Sequence, residues 1–129
     1  MAVRAIRGAT QLDVDDREHL LARTDELVRA VLAGNDLSSD AIISIVFTAT
    51  PDVRSEFPAY AARELGMVDV PLLCTVELDI TGAMQRVVRL LMHVESELSR
   101  SDVTHVYLHG AAQLRRDLTH VRTDEDVPG

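Results

Sequence analysis

At 129 residues, 47% hydrophobic and 26% charged, the chain has the size and balance of one water-soluble globular domain with a real core. The net charge of -8 argues against nucleic acid, whose binding rests on phosphate neutralisation, and no apolar run approaches the roughly 18 residues of a membrane span. A lone cysteine excludes an internal disulfide and, with an N-terminus that lacks a signal-peptide profile, gives the expectation of a cytoplasmic protein.

Residues 2–12 alternate loosely and read as a first strand, with Gly8 allowing a close backbone approach. Asp15 and Asp16 open a helix. Leu20, Leu21, Leu27, Val28, Val31 and Leu32 recur along it at helical spacing, and Gly34-Asn35 ends it. The charges on its other face (Arg17, Arg23, Asp25, Glu26 and Arg29) read as a solvated surface without function. Residues 41–48 form a β-branched run that reads as a buried strand, and strand–helix–strand predicts a crossover with parallel strands. Pro58 suits the first turn of a short helix to Leu65, Gly66 caps it, and Pro71 opens an extended run. Residues 84–98 fit either a helix or a strand, and periodicity alone leans towards helix. A short strand is expected over 103–108. Residues 119–129 read as a polar tail after a domain spanning 1–118.

The chemistry concentrates between Val70 and Met92, where Cys74, Glu77 and Arg89 stand inside otherwise apolar runs. An isolated ion in such a setting costs several kcal/mol, and a guanidinium does not escape by losing its proton. Arg89 therefore needs an anionic neighbour: Glu77, a bound molecule, or both. Cys74 as a nucleophile lacks a local base, and a buried free cysteine is ordinarily packing. His105 and His109 lie four residues apart, about 13 Å along a strand, too far to share one metal. No phosphate loop, dinucleotide pattern or hydrolase elbow is present. The constellation that remains is Arg7, Arg89 and Arg115 with Glu77. Structural ion pairs account for it as well as a dicarboxylate site does.

Beyond composition, Arg4-Ala-Ile-Arg-Gly-Ala-Thr10, Thr48-Ala-Thr-Pro-Asp52, Phe57-Pro-Ala59, Ala62-Arg-Glu-Leu65, Val70-Pro71, Cys74, Glu77-Leu-Asp-Ile-Thr-Gly82, Arg89, His105-Val-Tyr-Leu108 and Leu114-Arg115 follow one another in order and register. Together they resemble the small bacterial chorismate mutases of the trimeric, mixed α/β class. That resemblance implies an α+β, ferredoxin-like subunit with a mixed sheet and helices on one face, assembling as a homotrimer around a barrel-like core. It also implies that residues 84–94 form a strand. Each pocket would lie between subunits, with Phe57, Ala59, Leu73 and Cys74 from one chain and Arg7, Glu77, Arg89, Tyr107, Leu114 and Arg115 from the next.

The implied reaction turns chorismate into prephenate by an intramolecular [3,3] rearrangement that needs no cofactor, metal or proton transfer. Arg89 would meet the ether oxygen, and Arg7 with Tyr107 would hold the ether-side carboxylate. Glu77, with Cys74 nearby, would accept from the ring hydroxyl. Arg115 would close over the substrate, while Phe57, Ala59, Leu73 and Leu114 form apolar walls. Two departures from the family pattern matter most, Tyr60 where lysine is expected and Leu73 where threonine is familiar; His109-Gly110 and Arg116 also differ from it near the C-terminal closing segment. Tyr60 and Leu73 favour the alternative of a non-catalytic trimeric module that binds a small carboxylate. Thiol chemistry at Cys74 is a further rival.

Overall fold

The computed structural model describes residues 1–115, with the side chain of Arg115 left out. The expected tail at 119–129 and the end of the domain at 118 lie outside the described residues, as does the expected reach of Arg115 over a ligand. Five strands and two helices follow in the order β1 (Ala2–Gln11), α1 (Arg17–Gly34), β2 (Ile42–Ala49), α2 (Ala59–Glu64), β3 (Leu72–Val76), β4 (Val87–Ser96) and β5 (Val106–Leu108). A terminal 3-10 segment, His109–Arg115, completes the described chain.

The strands form one mixed sheet in the order β3-β2-β4-β1-β5. β4 is antiparallel to both β1 and β2, so those two are parallel to each other, as the crossover reading expected, but β4 lies between them. The edge strands β3 and β5 run parallel to β2 and β1 respectively. The leaning towards helix at 84–98 is overturned. Residues 87–96 are the central strand, hydrogen-bonded on both sides, and their alternation buries Val88, Leu90, Met92 and Val94 on one face. Periodicity misleads there because a central strand also buries Val87, which blurs the two-residue repeat.

Local chemistry sets the helix ends. The Asp16 carboxylate accepts from the His19 amide to cap α1, and the amide of Asn35 bonds back to Leu32 and Ala33 carbonyls at its far end. Gly66, with φ +93°, takes the left-handed turn after α2. Both helices cover one face of the sheet: Leu27, Val28 and Val31 of α1 and Ala62 of α2 share a core with Ile6, Ile45, Phe47, Leu90 and Met92. Gly8 is the contact that lets α1 in so close. A Cβ there would meet Val31, Leu27 and Leu90 side-chain carbons at 3.1, 3.2 and 3.3 Å.

Among the described residues no α-helix covers the other face, although the 3-10 segment His109–Arg115 packs against β1 beside Gln11. By register that face presents Val3, Ala5 and Arg7 of β1, Arg89, Leu91 and His93 of β4, Thr48 of β2, Leu73 of β3 and Tyr107 of β5. Val3 and Leu73 are 59% and 61% exposed, and Leu91 is 37% exposed. The α1 charges expected to be idle are partly engaged. Arg23 donates to the Gln11 carbonyl at 2.6 Å and pairs with Asp13, while Glu26 meets His109 Nε2 at 2.7 Å and ties the terminal segment to the helix.

Candidate active site

One row across the uncovered face reads Thr75, Thr48, Arg89, Ala9 and Tyr107, from β3 to β5. Arg7 lies in the next row, opposite Leu91. Diagonal neighbours on a sheet are roughly 7–8 Å apart, and strands two apart are roughly 10 Å apart. Arg7, Arg89 and Tyr107 therefore mark a triangle on one face, with the buried Ala9 between Arg89 and Tyr107.

Glu77 reaches this row from the end of β3. Its amide bonds to the Ala49 carbonyl at 2.9 Å, extending the β2–β3 pairing by one residue. Its carboxylate accepts from the Thr48 hydroxyl and lies 3.4 Å from Arg89 Nε. At that separation the pair is ionic rather than hydrogen-bonded. The Arg89 Nε–H is shielded from water yet has no acceptor of good geometry among the described residues. The guanidinium is tethered on one side by Glu77 while its side chain remains 43% exposed. A cation anchored in this way can accept an anionic oxygen with little rearrangement.

Four of the remaining expected residues lie at the β3 edge of the sheet. Phe57, Ala59, Leu73 and Cys74 line an apolar recess of about 500 Å³ with Tyr60, Arg63 and Leu72. Phe57 and Tyr60 rings sit 6.3 Å apart, so the residue standing in place of lysine supplies stacking surface and no charge. Burial pushes the Cys74 thiol up from its usual range, against an amide bond from Ala59 and the charge of Arg63, so it is a neutral thiol at working pH. Leu114 is partly exposed on the terminal segment beside β1 and β5.

The chain thus brings together Glu77 with Arg89, Arg7 with Tyr107, and Phe57 with Ala59, Leu73 and Cys74. It does not bring the third group to the second. Leu73 and Tyr107 stand on opposite edge strands, four spacings or roughly 19 Å apart. Sequence reasoning assigned no role to Thr48, although it fixes the Glu77 carboxylate. Nothing local signals it, because only the β2–β3–β4 register joins residues 48, 77 and 89.

The geometry defines a small α+β protein with an anchored, half-exposed guanidinium and, among the described residues, no acid–base pair hydrogen-bonded beside it. A family profile described as chorismate mutase type I matches residues 3–118, and the chain belongs to that family. A chorismate mutase of Bacillus subtilis is 35% identical over 126 residues, covering 97% of this chain and 99% of the relative. One of Thermus thermophilus is 40% identical over 117 residues, covering 90% of this chain and 96% of the relative. The solved structure of a chorismate mutase from Clostridium thermocellum superposes with a TM-score of 0.83 at 39% identity, covering 84% of this chain and 97% of that one.

Proposed function

We propose that the chain is a chorismate mutase, an isomerase that converts chorismate to prephenate within aromatic amino-acid biosynthesis. The observation that carries the residue assignment is the Glu77–Arg89 pair: a half-exposed guanidinium anchored by one carboxylate, with a shielded Nε–H left open. In the [3,3] rearrangement the ether C–O bond breaks while a C–C bond forms, and the ether oxygen becomes electron-rich. Arg89 meets that oxygen. Charge held there before the reaction favours the transition state over the ground state, and only such interactions speed the step. Arg7 and Tyr107 grip the ether-side carboxylate and hold the substrate folded in its reactive shape. Glu77 takes the ring hydroxyl with Cys74 nearby, Arg115 closes over the dianion, and Phe57, Ala59, Leu73 and Leu114 exclude water.

The active unit in this proposal is a homotrimer of ferredoxin-like subunits. Its support is the exposed Val3, Leu73 and Leu91 on the sheet face opposite the helices and the roughly 19 Å between Leu73 on β3 and Tyr107 on β5, a gap that one small ligand does not bridge. The walls of one subunit complete the cationic row of the next. A cytoplasmic location follows from a biosynthetic role, and among the described residues no helix is long and apolar enough to cross a membrane.

The test is direct. Purified protein is mixed with chorismate, and the loss of its ultraviolet absorbance is followed alongside sedimentation. Turnover by a species of three chains is the expected result. Chorismate bound but unchanged would favour the carboxylate-binding module instead.

A further inference from the structure

β5 is only three residues long, and its ladder with β1 covers only Gly8–Thr10 against Val106–Leu108. So short an edge strand needs other anchors if Tyr107 is to keep its place. The backbone just before it has been drawn away. Thr104 donates its amide to Asn35 Oδ1 at 2.8 Å and accepts from Asn35 Nδ2 at 2.9 Å, so it turns towards the end of α1. The Arg7 amide, next in line on β1, is left without a main-chain acceptor on that side. Instead it donates to Nδ1 of His105 at 2.9 Å, and an imidazole takes the place of a main-chain acceptor.

We propose that His105 is a positioning residue for the substrate site, holding Tyr107 within reach of Arg7 by accepting the Arg7 amide proton on Nδ1. The inference rests on the assignment of Arg7 and Tyr107 as the carboxylate grip. It requires the imidazole to be neutral, because a protonated Nδ1 would point a second donor at the amide. The surroundings favour the neutral form. The recess of about 450 Å³ around His105 is lined by Arg4 and Arg7 of β1, His93 of β4 and Arg100 of the preceding turn, and no carboxylate lines it among the described residues. Burial, with the Arg7 charge beside it, pulls the His105 pKa below 6.5. The folded-state pKa is depressed, so the stability of this tie is complete above pH 6.5. It declines as pH falls from there through the folded value.

The experiment compares wild type, His105→Asn and His105→Leu from pH 5 to 8.5, reading kcat and KM for chorismate separately. Asparagine retains an acceptor and does not titrate; leucine has no acceptor. In the wild type, kcat/KM falls on the acid side through a rising KM, while kcat stays level. At pH 7.5 His105→Leu loses about tenfold in kcat/KM, mostly in KM, whereas His105→Asn stays within about threefold. The acid decline vanishes in both. Wild-type kcat/KM in the leucine variant, or an acid decline that persists in the asparagine variant, overturns the proposal. If the leucine variant does not fold, the asparagine variant decides alone. Arg7→Ala separates the two levels. A KM unmoved by it removes the grip assignment and this inference together. A KM moved by Arg7→Ala but not by His105→Leu removes the inference alone.

Discussion

Replacing Arg89 by methionine keeps much of the length of the side chain and deletes its charge. Two quantities set the outcome. The first is the folding cost. The ion pair with Glu77 spans 3.4 Å between side chains that are 43% and 29% exposed, so solvent screening limits its contribution to roughly 1 kcal/mol or less. Glu77 also keeps the Thr48 hydroxyl as donor when the guanidinium is gone. The second is the transition state. A developing half charge on the ether oxygen, about 3 Å from a fixed cation at an effective dielectric of about 20, is stabilised by roughly 3 kcal/mol. That corresponds to about a hundredfold in rate, against a total acceleration for which about 10⁶ is a usual lower bound, or roughly 8 kcal/mol. The expected variant is therefore folded, assembled like the wild type, and at least a hundredfold slower in kcat. Absorbance loss of chorismate measures the rate, and thermal unfolding with sedimentation checks the fold. Arg29→Ala, which loses only a surface pair with Asp25 on α1, serves as the control. Similar kcat values for the two variants would refute the assignment of Arg89.

Thr48→Val removes the hydroxyl that fixes Glu77, and the loss of one hydrogen bond to a charged group, about 1.5 kcal/mol, lowers kcat by about tenfold without unfolding the chain. Gly8→Ala drives a methyl into Val31, Leu27 and Leu90, and overpacking of this kind costs about 1–3 kcal/mol, seen as a lower denaturation midpoint. Cys74, with its pKa raised by burial, reacts with iodoacetamide at pH 7.5 more slowly than free cysteine, and the rate rises only as pH passes its usual thiol range. With no proton transfer in the rearrangement, kcat is level from pH 6 to 9, and a bell in that range in saturating chorismate would reveal an acid or base.

The elements whose signals are local were legible in the sequence. Asp16 before Arg17, Gly34-Asn35 after the last turn and Pro58 before α2 all lie at the helix ends. The strand at residues 87–96 was only half legible from periodicity: Val88, Leu90, Met92 and Val94 do alternate, but burial of Val87 beside them, in a strand bonded to β1 and β2, lets a helical spacing fit as well. The Glu77–Arg89 pairing was readable in outline, since a guanidinium in an apolar run needs an anion. The support beneath it was not. Thr48, His105 and the Glu26–His109 tie are contacts between residues 29, 98 and 83 positions apart, and only the tertiary register creates them.

The same register explains how a sheet with an uncovered face can hold a site. A row across three strands sets a cation and a tyrosine on either side of the buried Ala9. On a lone subunit, water screens the half-exposed Arg89. In the proposed homotrimer, burial under the apolar edge of a neighbour would remove that water, and the same guanidinium would act at a far lower effective dielectric. The exposed Val3, Leu73 and Leu91 thus do two things at once. In that proposed assembly they would supply the apolar area that draws copies together, and their burial would bring the Phe57–Cys74 wall over Arg89. On that proposal assembly and electrostatic catalysis are one event, and a site with no acid–base pair among the described residues can still accelerate a rearrangement.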